Sequence, residues 1–268
     1  ASPYTISVGA VGHDDIRTGY SEPGANLLVV APSGGRGGGI VTTDNTGLSG
    51  YSDTDIYENF SGTSAATPIV SGVVALLLEE RPDLGWRDVQ QILAMSASPV
   101  DFSPEKWSRN GAGYWVSHDY GFGRVDAAAA LRLAEVWPLL GPMRTTGGSF
   151  SSGSGNLLMI DNAGLERSIT LTEPIRVQHV LVTVDITHED WGQLRIELES
   201  PEGTRSVLAE SHSNANSAYQ PGEWTYLSTH HLGEVSTGEW TLTVTDETAG
   251  TFGYLDSWSI EIMGTAVP

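Results

Sequence analysis

Apolar positions gather in short runs at the start of the chain and then settle into two different periodicities. Tyr4-Thr5-Ile6-Ser7-Val8-Gly9-Ala10 is an apolar, β-branched run that reads as a buried strand. Leu27-Leu28-Val29-Val30-Ala31-Pro32 reads as a second strand, closed by proline. Ser33 to Gly39 is a glycine-rich turn, and Ile40-Val41-Thr42-Thr43 a short third strand at an edge. From Ser64 to Glu80 the spacing is helical and almost wholly apolar, which predicts a buried helix. It stops at Arg81-Pro82-Asp83, because a residue before proline is driven out of helical conformation. Trp86 to Ala97 predicts an amphipathic helix with Val89, Ile92 and Leu93 on one face. Asp126 is placed to cap a third helix over Ala127 to Val136.

Beyond residue 142 the helical spacing is gone. Period-two runs recur at Arg176 to Ile186, Gln193 to Glu199, Trp240 to Thr245 and Leu255 to Met263, divided by turns such as Pro201-Glu202-Gly203. That pattern predicts a β-sandwich or jelly roll. Two domains follow, 1–142 and 143–268, joined by a linker at about 138–155, where Gly, Ser, Thr and Pro predominate.

Charge narrows the range of partners. The 268 residues carry 33 Asp and Glu against 13 Lys and Arg, a formal charge of −20. A surface of that sign repels phosphate, which excludes a nucleic-acid backbone binder, and draws in cations and basic peptides. No apolar run reaches the roughly 18 residues of a membrane span, so no membrane insertion is expected. The absence of cysteine removes disulfides, thiol catalysis and cysteine-ligated zinc, and is compatible with a secreted or periplasmic protein. A strand beginning within a few residues of Ala1, with no leader-like segment before it, implies the C-terminal portion of a longer polypeptide.

One segment carries chemistry. In Asn59-Phe60-Ser61-Gly62-Thr63-Ser64-Ala65-Ala66-Thr67-Pro68, Gly62 permits a tight turn and Ser64 stands at the start of the long apolar helix. An N–H of the first helical turn, backed by the positive helix end, is suited to hold an oxyanion, which gives Thr63 and Ser64 a supporting role there. Ala65 and Ala66 leave room for other side chains to approach, and Pro68 is expected within the first turn. The plainer reading of an isolated Gly-Thr-Ser is a helix cap.

The longer string resembles the signature of the subtilisin-like serine peptidases, Gly-Thr-Ser-(Met/Ala)-(Ala/Ser)-x-Pro, whose serine is the nucleophile. Val29-Val30-Ala31-Pro32-Ser33-Gly34 resembles the family's Val-x-Ala-Pro-Gly, and Tyr120-Gly121-Phe122-Gly123-Arg124-Val125-Asp126-Ala127 the segment that opens its last helix. Trp86-Arg87-Asp88-Val89-Gln90 is similar to a helix of the kexin and furin branch. Asp185-Ile186-Thr187-His188, Ser200 to Arg205, Gly238 to Leu242 and Phe252 to Trp258 resemble the P domain, a jelly roll attached to kexin-like proteases. The resemblance implies the C-terminal portion of a three-layer α/β domain with a parallel sheet, followed by an all-β P domain. It also implies a serine endopeptidase acting on peptides and proteins after basic residues, with Ser64 as nucleophile.

No segment matches the family's motifs for the catalytic Asp, the catalytic His or the oxyanion Asn, which precede the strand that begins here near Tyr4. His13 lacks the family's context, and His118, His179, His188, His212, His230 and His231 read as structural or exposed. The implied partner is therefore an N-terminal portion of the same protease, supplied as a cleaved or separate chain. Tyr20-Ser21-Glu22 resembles the branch's Tyr-Ser-Glu, so Glu22 is expected as one of three acidic ligands of a calcium ion beside the specificity pocket. Asp44, Asp53, Asp55, Asp161, Asp185, Asp190 and Asp246 lack any calcium-loop spacing and read as turn residues or solvated charges. Two other classes stay open: a non-catalytic adhesion or scaffold module retaining a degenerate protease half, and a sugar-binding sandwich with a platform of Trp191, Trp224, Trp240 and Trp258.

Overall fold

The computed structural model describes residues 2–153, 157–160, 162–212 and 222–267. Asp161 and the end of the expected linker lie outside them. The first half holds β1 (Ser7–Val11), β2 (Leu27–Pro32), β3 (Ile40–Thr43), β4 (Ile56–Phe60), α1 (Thr63–Glu80), α2 (Trp86–Ser96), β5 (Ser108–Arg109), β6 (Trp115–Val116) and α3 (Ala127–Glu135). β1 and β2 pair in parallel, and Val30 continues the sheet through a parallel bridge to Arg124. β3 and β4 form a separate antiparallel hairpin. The first strand is shorter than its apolar run, and Tyr4 lies exposed outside it.

The helices bury one face each. Leu28, Val29 and Ala31 of β2, Ala66, Val70, Val73 and Leu77 of α1, Val89, Ile92 and Leu93 of α2, and Ala130 and Ala134 of α3 share one core. The Asp126 carboxylate accepts from the Ala129 N–H at 2.9 Å, so α3 is capped as its sequence requires. α1 departs from expectation. Its length and composition would suit a membrane span, yet it packs on β1, β2 and α3. It is not buried all round: Leu76 and Leu78 are exposed, because nothing among the described residues covers that side.

The second half is an antiparallel sandwich of β7 (Arg144–Ser151), β8 (Leu157–Met159), β9 (Gly164–Leu171), β10 (Ile175–His188), β11 (Leu194–Glu199), β12 (Arg205–Ala209), β13 (Glu223–Ser228), β14 (Gly238–Asp246) and β15 (Gly253–Ala266). One sheet runs β13-β10-β15-β7, with β8 also on β15, and the other β12-β11-β14-β9. Alternate residues face inward: Val180, Val182, Val184 and Ile186 from β10 meet Leu194, Ile196 and Leu198 from β11 and Trp240, Leu242 and Val244 from β14.

The expected linker is corrected here. Residues 144–151 are strand β7, paired with β15 from Arg144↔Gly264 to Ser151↔Ser257. Its glycines are there for close approach, not for flexibility. A Cβ on Gly147 would stand 2.4 Å from the Ile260 carbonyl oxygen, and one on Gly148 2.6 Å from Ile169 Cγ2. Turn chemistry and a tightly packed strand read alike when glycine serves both.

The two cores are tied by buried polar contacts. The Thr229 N–H donates to the Ala25 carbonyl at 2.9 Å, and Leu232 sits in the helical core. The Asn110 side-chain amide donates to the His230 and Leu232 carbonyls at 2.9 Å each.

Candidate functional site

Gly62 is the N-cap of α1, at φ 89°, a left-handed conformation that a side chain would strain. Ser64 is thus the second helical residue and not the cap. The Gly62 carbonyl accepts the Ala65 N–H at 2.9 Å, which leaves the N–H groups of Thr63 and Ser64 without a partner inside the helix. Ser64 is exposed, and its hydroxyl hydrogen-bonds to no described residue. An accessible hydroxyl, two free N–H groups and the positive helix end therefore coincide at one spot.

Pro68 falls outside the first turn, as the sixth residue of α1. With no N–H it cannot donate to the Ser64 carbonyl four residues back. Two hydroxyls bond back along the helix on either side of Pro68: Thr67 Oγ1 donates to the Thr63 carbonyl at 2.9 Å, and Ser71 Oγ to that of Thr67 at 3.2 Å.

The turn before Ser64 is held from outside by the end of β2. Ser33 Oγ, almost fully buried, donates to the Gly62 carbonyl at 2.7 Å. Tyr20 Oη, with one proton, shares it between Ser33 Oγ at 2.9 Å and the Gly34 carbonyl. Gly34 packs so closely that a Cβ there would lie 2.4 Å from Ser61 Cβ. Neither Tyr20 nor Ser33 stood out as a site residue in the sequence. Each sits inside a recognisable string, but the contact joins positions 20, 33 and 62, and no spacing rule reaches that far.

Glu22 stands exposed on the same turn as Tyr20. Ser21 anchors that turn: its buried Oγ accepts the Ala10 N–H at 2.9 Å. Among the described residues no three His, Asp or Glu side chains are grouped to hold a metal ion. The described residues therefore do not by themselves form a calcium site at Glu22. Asp44 is a turn residue, its carboxylate accepting the N–H groups of Asn45, Tyr51 and Ser52 at 2.7–2.8 Å. Partial burial opposes ionisation there, and these donors outweigh it, holding the carboxyl below the usual range.

Three of the histidines are buried with a polar neighbour. His188 Nε2 lies 3.0 Å from Asp246 Oδ2 and His231 Nδ1 3.5 Å from Glu234 Oε2, all four side chains fully buried. His179 Nε2 lies 2.7 Å from Gln90 Oε1. His13 is exposed and lies against Gly37. The four tryptophans make no common platform, since Trp240 and Trp258 are core.

The profile of the Subtilase family matches residues 1–123, and that of the Proprotein convertase P-domain residues 177–262. Furin of Mus musculus and kexin of Saccharomyces cerevisiae are each 31% identical over 274 residues, covering 99% of this chain and 33% of the relative. The crystal structure of the serine protease of Aeromonas sobria superimposes with a TM-score of 0.86 at 28% identity, over 96% of this chain and 57% of that one. The chain thus spans about a third of the curated relatives it matches. Exposed serine at the head of α1, helical core and attached sandwich agree with these likenesses: the chain belongs to the subtilase family, in its kexin/furin branch, as the C-terminal part of a catalytic domain followed by a P domain.

Proposed function

We propose that this chain supplies the nucleophile Ser64 to a kexin-type serine endopeptidase, secreted or periplasmic, that cleaves peptides and proteins after basic residues. An N-terminal portion of the same protease contributes the Asp, the His and the oxyanion Asn. It also completes the parallel sheet beside β1, while the sandwich follows the P-domain jelly roll. The observation that carries the reading is the head of α1: Ser64 is exposed, has no base of its own among the described residues, and sits beside two unpaired N–H groups.

In the assembled site the His takes the proton from Ser64 Oγ as the oxygen attacks the scissile carbonyl. The developing oxyanion is received by the Ser64 N–H with the helix end behind it, Thr63 lending its adjacent peptide. The protonated His then passes its proton to the leaving amine, and water hydrolyses the acyl-enzyme. The chain's charge of −20 favours approach of a basic substrate. Glu22 supplies one carboxylate to a calcium ion whose remaining ligands come from the N-terminal portion.

A fluorophosphonate probe tests this. The chain assembled with its N-terminal portion should be labelled on Ser64, the chain alone should not, and Ser64→Ala should abolish labelling. An assembled protein that stays unlabelled would instead make the chain a non-catalytic scaffold.

A further inference from the structure

We propose that Tyr20 is a positioning residue for the nucleophile, acting through Ser33. This rests on the reading of Ser64 given above. The route is short and directional. Tyr20 Oη donates to Ser33 Oγ at 2.9 Å, and Ser33 Oγ donates to the Gly62 carbonyl at 2.7 Å. With its one proton spent on Gly62, the Ser33 hydroxyl is available to Tyr20 only as an acceptor, and Tyr20 shares its own single proton between Ser33 Oγ and the Gly34 carbonyl.

The Gly62 carbonyl lies in the same planar peptide as the Thr63 N–H, on the opposite side. Fixing the carbonyl fixes where that N–H points and sets the first turn that presents Ser64. The carbonyl accepts only one bond from the helix itself, from the Ala65 N–H. Gly62, lacking a side chain and at φ 89°, has no other means of holding its rotation. Ser33 is almost fully buried at the end of β2, a rigid base for the tether.

Tyr20 links this tether to the Glu22 turn. Ser21 pins that turn to β1 through the Ala10 N–H, so Tyr20 spans two fixed points, one beside Glu22 and one beside Ser64. A displacement of about 1 Å at a nucleophile is enough to cost up to a hundredfold in rate.

The test uses the full protease, with Ser64→Ala as reference. Tyr20→Phe and Ser33→Ala should each lower kcat about tenfold with KM within twofold of wild type, since they misplace a reacting atom without removing a substrate contact. The double variant should be no worse than Ser33→Ala alone, and Ser33→Thr, which keeps the hydroxyl, should restore kcat. Amide exchange at residues 61–66 should quicken in Tyr20→Phe. Unchanged kcat in Tyr20→Phe, or effects of the two variants that multiply, overturns the proposal while leaving Ser64 as nucleophile. Activity in Ser64→Ala overturns the underlying reading instead. Should Ser33→Ala melt early, the KM-to-kcat split in Tyr20→Phe decides alone.

Discussion

His179 Nε2 lies 2.7 Å from Gln90 Oε1, joining the long strand β10 of the sandwich to helix α2 of the helical core. The amide oxygen accepts, so the imidazole donates from Nε2, and it stacks at a tilt on Trp86. Burial, helped by the charge of Arg87, pushes the His179 pKa down to about 4. His230 lies beside the same boundary, where burial, then His231 and His118, push it down to about 3. Both groups are held neutral when folded and titrate near 6.5 when unfolded. The unfolded chain therefore binds more protons between those values, so the contribution to stability is complete above pH 6.5 and falls as the pH drops toward 4. Each pH unit in that window costs about 1.4 kcal/mol per histidine. Thermal melts should show a steep fall in Tm between pH 6.5 and 4, made shallower by His179→Gln.

The Asn110 amide is the second test of the boundary. It donates to the carbonyls of His230 and Leu232, and its oxygen accepts the Tyr114 N–H at 2.9 Å. Asn110→Ala strands two buried carbonyls and the part-buried Tyr114 N–H. Denaturant unfolding should show a loss of about 2–4 kcal/mol. Asn110→Asp should fare no better, because a carboxylate facing two carbonyls repels where the amide donated.

Strand β7 sets where the sandwich begins. It covers one side of β15 over eight residue pairs, from Arg144 to Ser151. A fragment of residues 143–268 should melt cooperatively on its own. One starting at 157 should not, since β15 would keep β10 but lose β7. Circular dichroism melts of the two fragments would settle the boundary.

Glu22→Gln in the full protease tests the calcium reading. The variant should raise the calcium concentration needed for half-maximal activity and lower kcat/KM for peptides ending in Arg more than for those ending in Leu. Paired peptides read across a calcium titration give both numbers. Equal response from both peptides would remove Glu22 from the pocket.

Much of this was legible in the sequence where a local rule applied. The helices at 63–80, 86–96 and 127–135 follow from apolar spacing, and the Asp126 cap from its side chain. The head of α1 was legible because Gly62, Ser64 and Pro68 sit together. What the pattern hid depends on distance. Short strands such as β4, β5, β6 and β8 are defined by partners rather than by composition. The open side of α1 looked buried because Leu76 and Leu78 are apolar whatever covers them. The tether to Gly62 joins three segments far apart in sequence, which only the fold brings into register.

The crowded glycines change how a saturation scan of this protein should be interpreted. Gly147 and Gly148 face the Ile260 carbonyl and the Ile169 side chain, and a Cβ on Gly264 would lie 2.0 Å from the Arg176 carbonyl oxygen. Alanine at any of them should abolish function as completely as a change at the head of α1, through loss of the folded strand pair. Ranking positions by intolerance alone would place these sandwich glycines beside Ser64. Abundance measured alongside activity should separate the two groups: on the proposed reading the glycine variants should vanish from the soluble fraction, whereas Ser64→Ala should accumulate as a normal, inert protein.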